Sequence, residues 1–384
     1  MKYDLSKVTH TPCYYYDMAL LDATLAEINR LIKGHDMLVH YAIKANANPD
    51  ILRRIAAAGL GADCVSGGEI RLALDCGFRP ETICFAGVGK TDDELRLAIQ
   101  AGIASINVES IEELDIIATI AATINNGPAR VALRINPNID AHTHHYITTG
   151  LEENKFGIDI SLTDTAINRI VANPWLELTG LHFHIGSQIQ TMEPYLILCG
   201  RVNKLTKRLE QRGIKVKTIN LGGGLGVDYD NPDANPIPDF EELFSTAFRH
   251  LDLRPGQTVH FELGRSIVAQ CGTLLTQVIY VKNGVNRRFA IVDAGMNDLI
   301  RPALYQARHH IDVLDGQGDT IADGPVKTYD VVGPVCESSD TFATDLPLPT
   351  LQRGTLLAIR SAGAYGQSMS STYNQRPLAP AVLS

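Results

Sequence analysis

One lysine lies where a buried strand is predicted to end. Lys44 follows the apolar, β-prone residues 37–43, within His40-Tyr-Ala-Ile-Lys-Ala-Asn46. A partly desolvated lysine amine has a lowered pKa and can form a Schiff base with a carbonyl group. A lysine at the end of a strand is more often a solvated surface residue, so its chemistry depends on the groups around it.

A run of glycines indicates a place where an anion can approach the backbone. Gly222, Gly223 and Gly224 follow a short apolar segment in Leu221-Gly-Gly-Gly-Leu-Gly226. Consecutive glycines expose backbone N–H groups to a phosphate. A flexible turn is the alternative interpretation of this run. Small residues and a cation follow two further apolar segments, and together they would complete a phosphate-binding cup: Gly186, Ser187, Gly264 and Arg265.

A carboxylate and an imidazole complete the set of candidate groups. Glu262 ends another apolar segment, and a carboxylate there could keep a ring nitrogen protonated. His184 shares a strand face with His182, and its flat ring could stack on an aromatic cofactor, although a hydrogen-bonded core histidine is the commoner case. A lysine, a phosphate cup and a carboxylate at one site favour pyridoxal 5′-phosphate, PLP, whose ring acts as an electron sink.

Metal binding is not expected. The histidines of His142-x-His144-His145 are interpreted as loop residues. The seven cysteines are odd in number, scattered, and without a Cys-x-x-Cys pair, which indicates reduced thiols in a cytoplasm rather than disulfides or a zinc site.

Regular alternation of helices and strands would position these groups. The predicted helices are residues 20–33, 50–59, 68–76, 92–101, 111–124, 162–172, 193–212 and 239–251. The predicted strands are residues 37–42, 62–65, 83–86, 105–108, 131–135, 178–183, 218–221 and 258–261. The strands are continuous apolar runs, as expected of parallel strands covered on both faces. Eight such units favour a closed (β/α)8 barrel of the triosephosphate-isomerase type, with its functional groups at the strand C-terminal ends. An open doubly wound sheet is the alternative.

The pattern changes after residue 265. Residues 267–282, 288–292, 327–332 and 355–360 are predicted strands, separated by Gly- and Pro-containing turns. We therefore predict an α/β chain with a barrel domain at 20–265, followed by a mostly antiparallel β domain at 266–384 that also includes residues 1–19. The strand-like residues 11–16 would pair with this β domain, and residues 229–238 are expected to form a surface loop.

Composition narrows the function classes. The chain has 384 residues, 45% of them hydrophobic and 20% charged, which is typical of a soluble globular protein of about two domains. A net charge of −9 and the lack of a basic tract argue against a nucleic-acid partner. The sequence has no membrane-length apolar run and no signal-peptide core at its start, so we expect a cytoplasmic protein.

Several motifs resemble the alanine-racemase-like, fold type III PLP-dependent decarboxylases, in order and over nearly the whole chain. In the first half they are Tyr41-Ala-Ile-Lys-Ala-Asn46, Val65-Ser-Gly-Gly-Glu69, Leu181-His-Phe-His-Ile-Gly-Ser-Gln188, Leu221-Gly-Gly-Gly-Leu-Gly226 and Glu262-Leu-Gly-Arg265. In the second half they are residues 293–305, Gly333-Pro-Val-Cys-Glu-Ser-Ser-Asp340 and Ala362-Gly-Ala-Tyr-Gly366, which are similar to the branch that acts on meso-2,6-diaminopimelate. The resemblance implies decarboxylation of that compound to L-lysine, the last step of lysine biosynthesis.

The resemblance also implies a role for each site residue. Lys44 would carry PLP, Glu262 would pair with its ring nitrogen, and His184 would stack on the ring. Phosphate would bind to Ser187, Gly222, Gly223, Gly224, Gly264 and Arg265, with Tyr365 also reaching the cofactor. Substrate would bind to Arg265, Arg301, Tyr305, Glu337 and Tyr365. Cys336 would be the general acid, and Cys336 and Glu337 would come from the partner subunit of a homodimer with shared active sites.

Three residues depart from the family pattern, and other functions compete. Leu263 stands in place of Pro, Ser339 in place of Gly and Ser361 in place of Asp, which concerns fine geometry because no charged catalytic group is lost.

The nearest alternative is a related decarboxylase acting on ornithine, arginine or carboxynorspermidine. The Cys-Glu pair argues against an amino-acid racemase. The 119 residues after Arg265 argue against a non-catalytic PLP carrier, and the presence of both Lys44 and Cys336 argues against a regulator.

Overall fold

The computed structural model describes residues 2–139 and 155–384, which form two compact units. The barrel unit comprises Leu25–Gly226 and Asp239–Gly264. The β unit comprises Met1–Thr24, Val227–Pro238 and Arg265–Ser384.

The helices of the described residues are α1 (Met18–Ile32), α2 (Pro49–Ala57), α3 (Gly67–Asp75), α4 (Asp92–Ala101), α5 (Ile111–Ile124), α6 (Thr163–Val171), α7 (Glu193–Gln211), α8 (Phe240–His250), α9 (Arg265–Val268) and α10 (Arg301–Tyr305). The strands begin with β1 (Cys13–Tyr16), β2 (Met37–Ala42), β3 (Gly61–Cys64), β4 (Ile83–Phe85), β5 (Ser105–Val108), β6 (Ala129–Asn136), β7 (Ile158–Asp159), β8 (Leu176–His182) and β9 (Thr218–Asn220). They continue with β10 (Thr258–Leu263), β11 (Gly272–Asn283), β12 (Arg288–Val292), β13 (Ile311–Leu314), β14 (Val326–Val332), β15 (Thr341–Pro349), β16 (Leu356–Ile359) and β17 (Ala381–Leu383).

Eight parallel strands of the barrel unit close on themselves. Their order is β5-β4-β3-β2-β10-β9-β8-β6, and pairing of β5 with β6 completes the ring. This confirms the predicted (β/α)8 barrel and excludes the open sheet, because an open sheet would leave two edge strands. The C-terminal ends of all eight strands therefore open on one side of the barrel.

Local sequence signals fix where the barrel helices start. Ser66, Thr91, Ser110 and Asp239 each accept a hydrogen bond from the backbone N–H three residues ahead, at the starts of α3, α4, α5 and α8. Such N-caps satisfy a donor that the first helical turn leaves unpaired. The loops that join β3 to α3 and β5 to α5 at the open side of the barrel are therefore short.

The β unit contains one mostly antiparallel sheet. Its path is β13-β16-β11-β12-β14-β15, and β1 joins it by pairing antiparallel with β11 and parallel with β17. The predicted pairing of residues 11–16 with the second domain is therefore confirmed. The single strand predicted at 267–282 is wrong in its first part. The backbone of Ala269 donates to Arg265, which closes the helical turn α9 before β11 begins at Gly272.

Two further properties follow from the described residues. None of their helices has the length and apolar character needed to cross a membrane. All seven cysteines are free thiols; Cys336 is exposed and the other six are buried.

Candidate active site

Lys44 extends from the open end of the barrel. It lies in the helical turn Ile43–Ala45, directly after β2, between two buried neighbours. Its own side chain is 43% exposed, and its Nζ lies 3.5 Å from Asp63 Oδ2. The position of Lys44 therefore agrees with the predicted strand-end amine.

Asp63 is a buried acid beside this amine that the sequence analysis did not select. It belongs to β3, next to β2 in the barrel. Its Oδ1 has no hydrogen-bond partner within residues 2–139 and 155–384. Burial raises the pKa of Asp63 to about 8; the negative charge of Glu262 adds to the effect, and Lys44 opposes it. Asp63 can therefore hold or release a proton near neutral pH, next to Lys44.

Glu262 is an ionised carboxylate inside the barrel. Asn107 and Asn220 donate to its Oε1 at 3.1 and 2.7 Å, and His182 Nε2 lies 2.9 Å from its Oε2. Burial by itself would raise the pKa of Glu262, but its charge interaction and hydrogen bond with His182 outweigh burial and hold the pKa well below the usual range. The three hydrogen bonds thus hold a negatively charged carboxylate in one position inside the barrel. Such a charge can stabilise a protonated ring nitrogen.

The glycine run is required by its surroundings. A Cβ on Gly222 would overlap the Phe183 carbonyl oxygen, and a Cβ on Gly223 would overlap the carbonyl oxygen of Glu262. Gly222 also has a φ of +73°, which L side chains rarely adopt. The backbone segments at the ends of β8, β9 and β10 are therefore closely packed. Because the glycines have no side chains, none covers their backbone N–H groups.

His184 is a neutral imidazole next to this run. The backbone N–H of Gly223 donates to His184 Nδ1 at 3.2 Å. Burial and the nearby cations Arg134 and Lys44 hold the pKa of His184 well below its usual value. Since a neutral ring is not repelled by a cationic aromatic group, this position suits stacking.

The remaining predicted residues of the barrel unit lie at strand ends. Ser187 is half-buried in the segment after β8. Gly264 follows β10, where a Cβ would approach the Ala45 Cβ to 2.9 Å, so glycine allows the chain to pass close to the lysine turn. Leu263 pairs with Tyr41 of β2 as the last residue of β10. The departure from Pro there therefore keeps a regular strand.

Two predicted arginines converge in the β unit. Arg265 Nη1 and Arg301 Nη1 both donate to the hydroxyl of Tyr229, at 2.6 and 3.0 Å. The Arg265 guanidinium also lies over the Tyr365 ring, 5.0 Å from its centroid. Tyr305 is on α10 four residues after Arg301, which puts both on one helix face. Tyr229 begins the predicted surface loop at residues 229–238, which contains no helix or strand and is mostly exposed. Tyr229 itself is half-buried, and its hydroxyl accepts hydrogen bonds from both arginines.

Cys336 and Glu337 lie on a well-defined surface segment of the β unit. Both are exposed. The Asn374 side-chain oxygen accepts from the Cys336 backbone N–H at 3.0 Å, and the Tyr373 hydroxyl donates to Glu337 at 2.8 Å. The backbone of Cys336 and the carboxylate of Glu337 are thus held by residues 373 and 374.

The other two departures from the family pattern have local partners. The Ser361 hydroxyl donates to the side-chain oxygen of Gln270, and the Ser339 hydroxyl approaches Met296 Sδ to 3.7 Å. Neither serine removes a charge from the groups above. The histidines at positions 142, 144 and 145 lie outside the described residues.

The barrel residues fit PLP in three respects. They offer an exposed lysine amine, a carboxylate held ionised inside the barrel, and a closely packed glycine backbone. Glu262 would hold the ring nitrogen, the glycines would contact the phosphate, and Lys44 would attach the group. Together, fold and site define a PLP-dependent decarboxylase of the barrel type, as the family comparison bears out: residues 20–269 match the model for the pyridoxal-binding domain of pyridoxal-dependent decarboxylases.

Curated relatives and solved structures show which PLP-dependent decarboxylases this chain resembles strongly. The chain is 52% identical over 376 residues to a diaminopimelate decarboxylase of Bacteroides thetaiotaomicron, covering 98% of this chain and 96% of that protein. It is 45% identical over 374 residues to one from Helicobacter pylori, covering 97% and 90%. The crystal structure of the Helicobacter pylori enzyme complexed with L-lysine superposes with a TM-score of 0.92 at 42% identity, covering 99% and 93%. The chain therefore belongs to the diaminopimelate decarboxylase family of PLP-dependent enzymes.

Proposed function

We propose that this chain removes carbon dioxide from meso-2,6-diaminopimelate to give L-lysine, the last step of lysine biosynthesis. The main structural support is Glu262, a carboxylate that three donors keep ionised in the same barrel as the exposed amine of Lys44. The assignment of the substrate rests on the relatives named above, which are diaminopimelate decarboxylases. When bound, PLP supplies an electron sink for the electron pair that the departing carboxylate leaves behind.

The barrel residues bind and orient the cofactor in this proposal. Lys44 attaches it, Glu262 keeps a proton on the ring nitrogen, and neutral His184 packs on the ring face. Phosphate is bound mainly by backbone N–H groups at Gly222, Gly223 and Gly224, together with Ser187, Gly264 and Arg265. Support comes from the crowded glycine backbone, since a side chain at these positions would collide with neighbouring carbonyl groups.

The β unit supplies groups for the substrate. Arg265, Arg301 and Tyr305 bind its distal carboxylate, Glu337 binds its distal ammonium, and Tyr365 lines the site. Guanidinium forks suit a carboxylate, and the carboxylate of Glu337 suits an ammonium. Ornithine and arginine lack a distal carboxylate, so a site with these arginines favours diaminopimelate. Cys336 delivers a proton to the carbon that has lost its carboxylate.

The proposal includes a homodimer in which Cys336 and Glu337 complete the site of the partner subunit. Its support is that both side chains are exposed on their own chain while their backbone segment is held in place. We also place the enzyme in the cytoplasm, where seven free thiols would stay reduced.

A substrate panel tests the function. Purified protein loaded with PLP is supplied with meso-diaminopimelate, L-ornithine, L-arginine or carboxynorspermidine, and released carbon dioxide and the amine product are measured. We expect turnover of meso-diaminopimelate to L-lysine and none with Lys44→Ala, with Lys217→Ala as the exposed-lysine control. Turnover of ornithine or arginine at a comparable rate would contradict the substrate assignment.

A further inference from the structure

The β unit holds its buried arginines in two different ways. Arg360 donates to Asp233 at 2.7 Å and to Asp312 at 2.8 Å, so two carboxylates balance its charge. Arg301 is similarly buried, but its Nη1 donates to the Tyr229 hydroxyl and to His309 Nε2, each at 3.0 Å. Within the described part of the chain, no carboxylate forms an ion pair with Arg301. Its guanidinium group is thus held by a phenol and an imidazole, without a carboxylate to balance its charge.

Neither acceptor of Arg301 is a carboxylate. His309 Nδ1 lies 2.8 Å from the Arg360 carbonyl oxygen and must donate to it, which leaves Nε2 as the acceptor for Arg301. Burial and the Arg301 charge lower the pKa of His309 to about 3. Burial by itself would raise the pKa of the Tyr229 phenol, but the charges and hydrogen bonds of Arg265 and Arg301 outweigh burial and lower it. The centroid of the Tyr229 ring lies 5.0 Å from the Arg301 guanidinium carbon.

A phenol and an imidazole as acceptors have a consequence that carboxylates would not have. They fix the direction of the guanidinium donors and leave the full positive charge in place. A buried cation without an anion is costly, so it is stabilised when a ligand brings one. A carboxylate in place of Tyr229 or His309 would satisfy Arg301 and weaken its attraction for a ligand anion.

We infer that Tyr229 and His309 are positioning residues that hold Arg301, and Arg265 through the same phenol, in a charged state for the distal carboxylate of the substrate. This inference rests on the proposed function, since it concerns the carboxylate assigned to these arginines. Neither residue is expected to contact the bond that breaks. Their effect should appear in recognition of the distal carboxylate, with the chemical step largely preserved.

The test is Tyr229→Phe in the PLP-loaded enzyme, with Tyr280→Phe on exposed β11 as the matched control. L-Lysine retains the distal carboxylate and cadaverine lacks it, so the inhibition constants of both are measured beside KM and kcat for meso-diaminopimelate. Hydrogen bonds to charged groups are among the stronger ones, so we expect KM and the L-lysine constant to rise about tenfold. The cadaverine constant and kcat should change less than about threefold. The shift in melting temperature that L-lysine produces should shrink in parallel.

A second pair of variants keeps the inference testable if Tyr229→Phe does not fold. His309→Gln retains a neutral acceptor for Arg301 and should keep most L-lysine affinity, whereas His309→Leu should lose it as Tyr229→Phe does. Equal effects on L-lysine and cadaverine, or no effect on either, would overturn the inference while leaving the proposed function intact. A wild-type enzyme that does not decarboxylate meso-diaminopimelate would overturn the proposed function, and this inference with it.

Discussion

His182 and Glu262 face each other inside the barrel, with 2.9 Å between the imidazole Nε2 and the carboxylate Oε2. They lie on β8 and β10, which β9 separates. Asn220 of β9 donates to the other oxygen of the same carboxylate, so three consecutive strands fix its orientation. A charge held this rigidly needs no rearrangement when a cationic ring is present.

Replacing Glu262 by Gln should therefore reduce turnover sharply. Glutamine keeps the shape of the side chain but loses the charge that, in the proposed function, retains a proton on the ring nitrogen. We expect kcat to fall on the order of 100-fold, as for the loss of one preorganised electrostatic group. Steady-state kinetics on protein with verified PLP content measures this. Glu210→Gln, which changes an exposed carboxylate on α7, should leave kcat unchanged, and a nearly normal kcat in Glu262→Gln would contradict the role of the charge.

Asp63 should make stability depend on pH. Its pKa is raised from 3.8 to about 8 in the folded protein. Between these two pKa values the folded protein holds a proton that the unfolded chain has released. The contribution of Asp63 to the free energy of unfolding therefore falls as the pH rises from about 4 to about 8. Asp63→Asn removes that dependence. The melting temperature of the variant minus that of wild type should rise from about pH 4 to about pH 8 and then level off.

The measurement is thermal unfolding of cofactor-free protein, in which no cofactor is attached to the Lys44 amine. Asp50→Asn, at an exposed position on α2, is the control and should give a difference that does not change over the same range. A difference for Asp63→Asn that stays constant over this range would show that the carboxyl is ionised throughout and would contradict the raised pKa.

Arg301→Lys should impair substrate binding more than cofactor binding. Lysine keeps the charge but cannot present the planar fork that a carboxylate accepts with two hydrogen bonds. We expect KM for meso-diaminopimelate to rise about tenfold or more while the PLP absorbance stays near that of wild type. The exposed substitution Arg353→Lys is the control. Loss of PLP absorbance in Arg301→Lys would instead assign Arg301 to the cofactor.

Mixing two inactive variants tests the shared site. Cys336→Ala and Lys44→Ala should each be inactive alone and regain activity when their subunits exchange. One site of each mixed dimer would receive both substitutions and the other neither. If half the dimers are mixed, activity should approach about a quarter of wild type. Mass spectrometry establishes that mixed dimers form. Their presence without activity would mean that Cys336 acts within its own chain.

The sequence was sufficient to predict the barrel because parallel strands are buried on both faces and appear as continuous apolar runs. The predicted strand at residues 37–42 coincides with β2, and the one at 105–108 with β5. The turn α9 was missed because the apolar residues after Arg265 fit a strand equally well. Its helical turn is set by contacts with a distant segment, since Gly363 donates to the Ala269 carbonyl oxygen.

The position of a candidate group was predictable where it follows from a strand end, as with Lys44, Glu262 and the glycines, whose roles stay predictions. It was not predictable where a role depends on distant partners. Asp63 looks like any strand-end acid until burial raises its pKa. Tyr229 lies in an Asp-, Asn- and Pro-rich segment typical of surface loops, and only the fold brings it to two arginines that follow it by 36 and 72 positions.

Of the seven cysteines, one should react with a thiol reagent in the native protein, and the other six should not. Burial raises the pKa of each of the six buried thiols, so in the native protein they are both inaccessible and protonated. Cys336 alone is exposed. An alkylating reagent at neutral pH should therefore add a single mass increment per native chain, and the same reagent in denaturant should add seven. The number of adducts thus gives a direct count of folded molecules, independent of any cofactor signal.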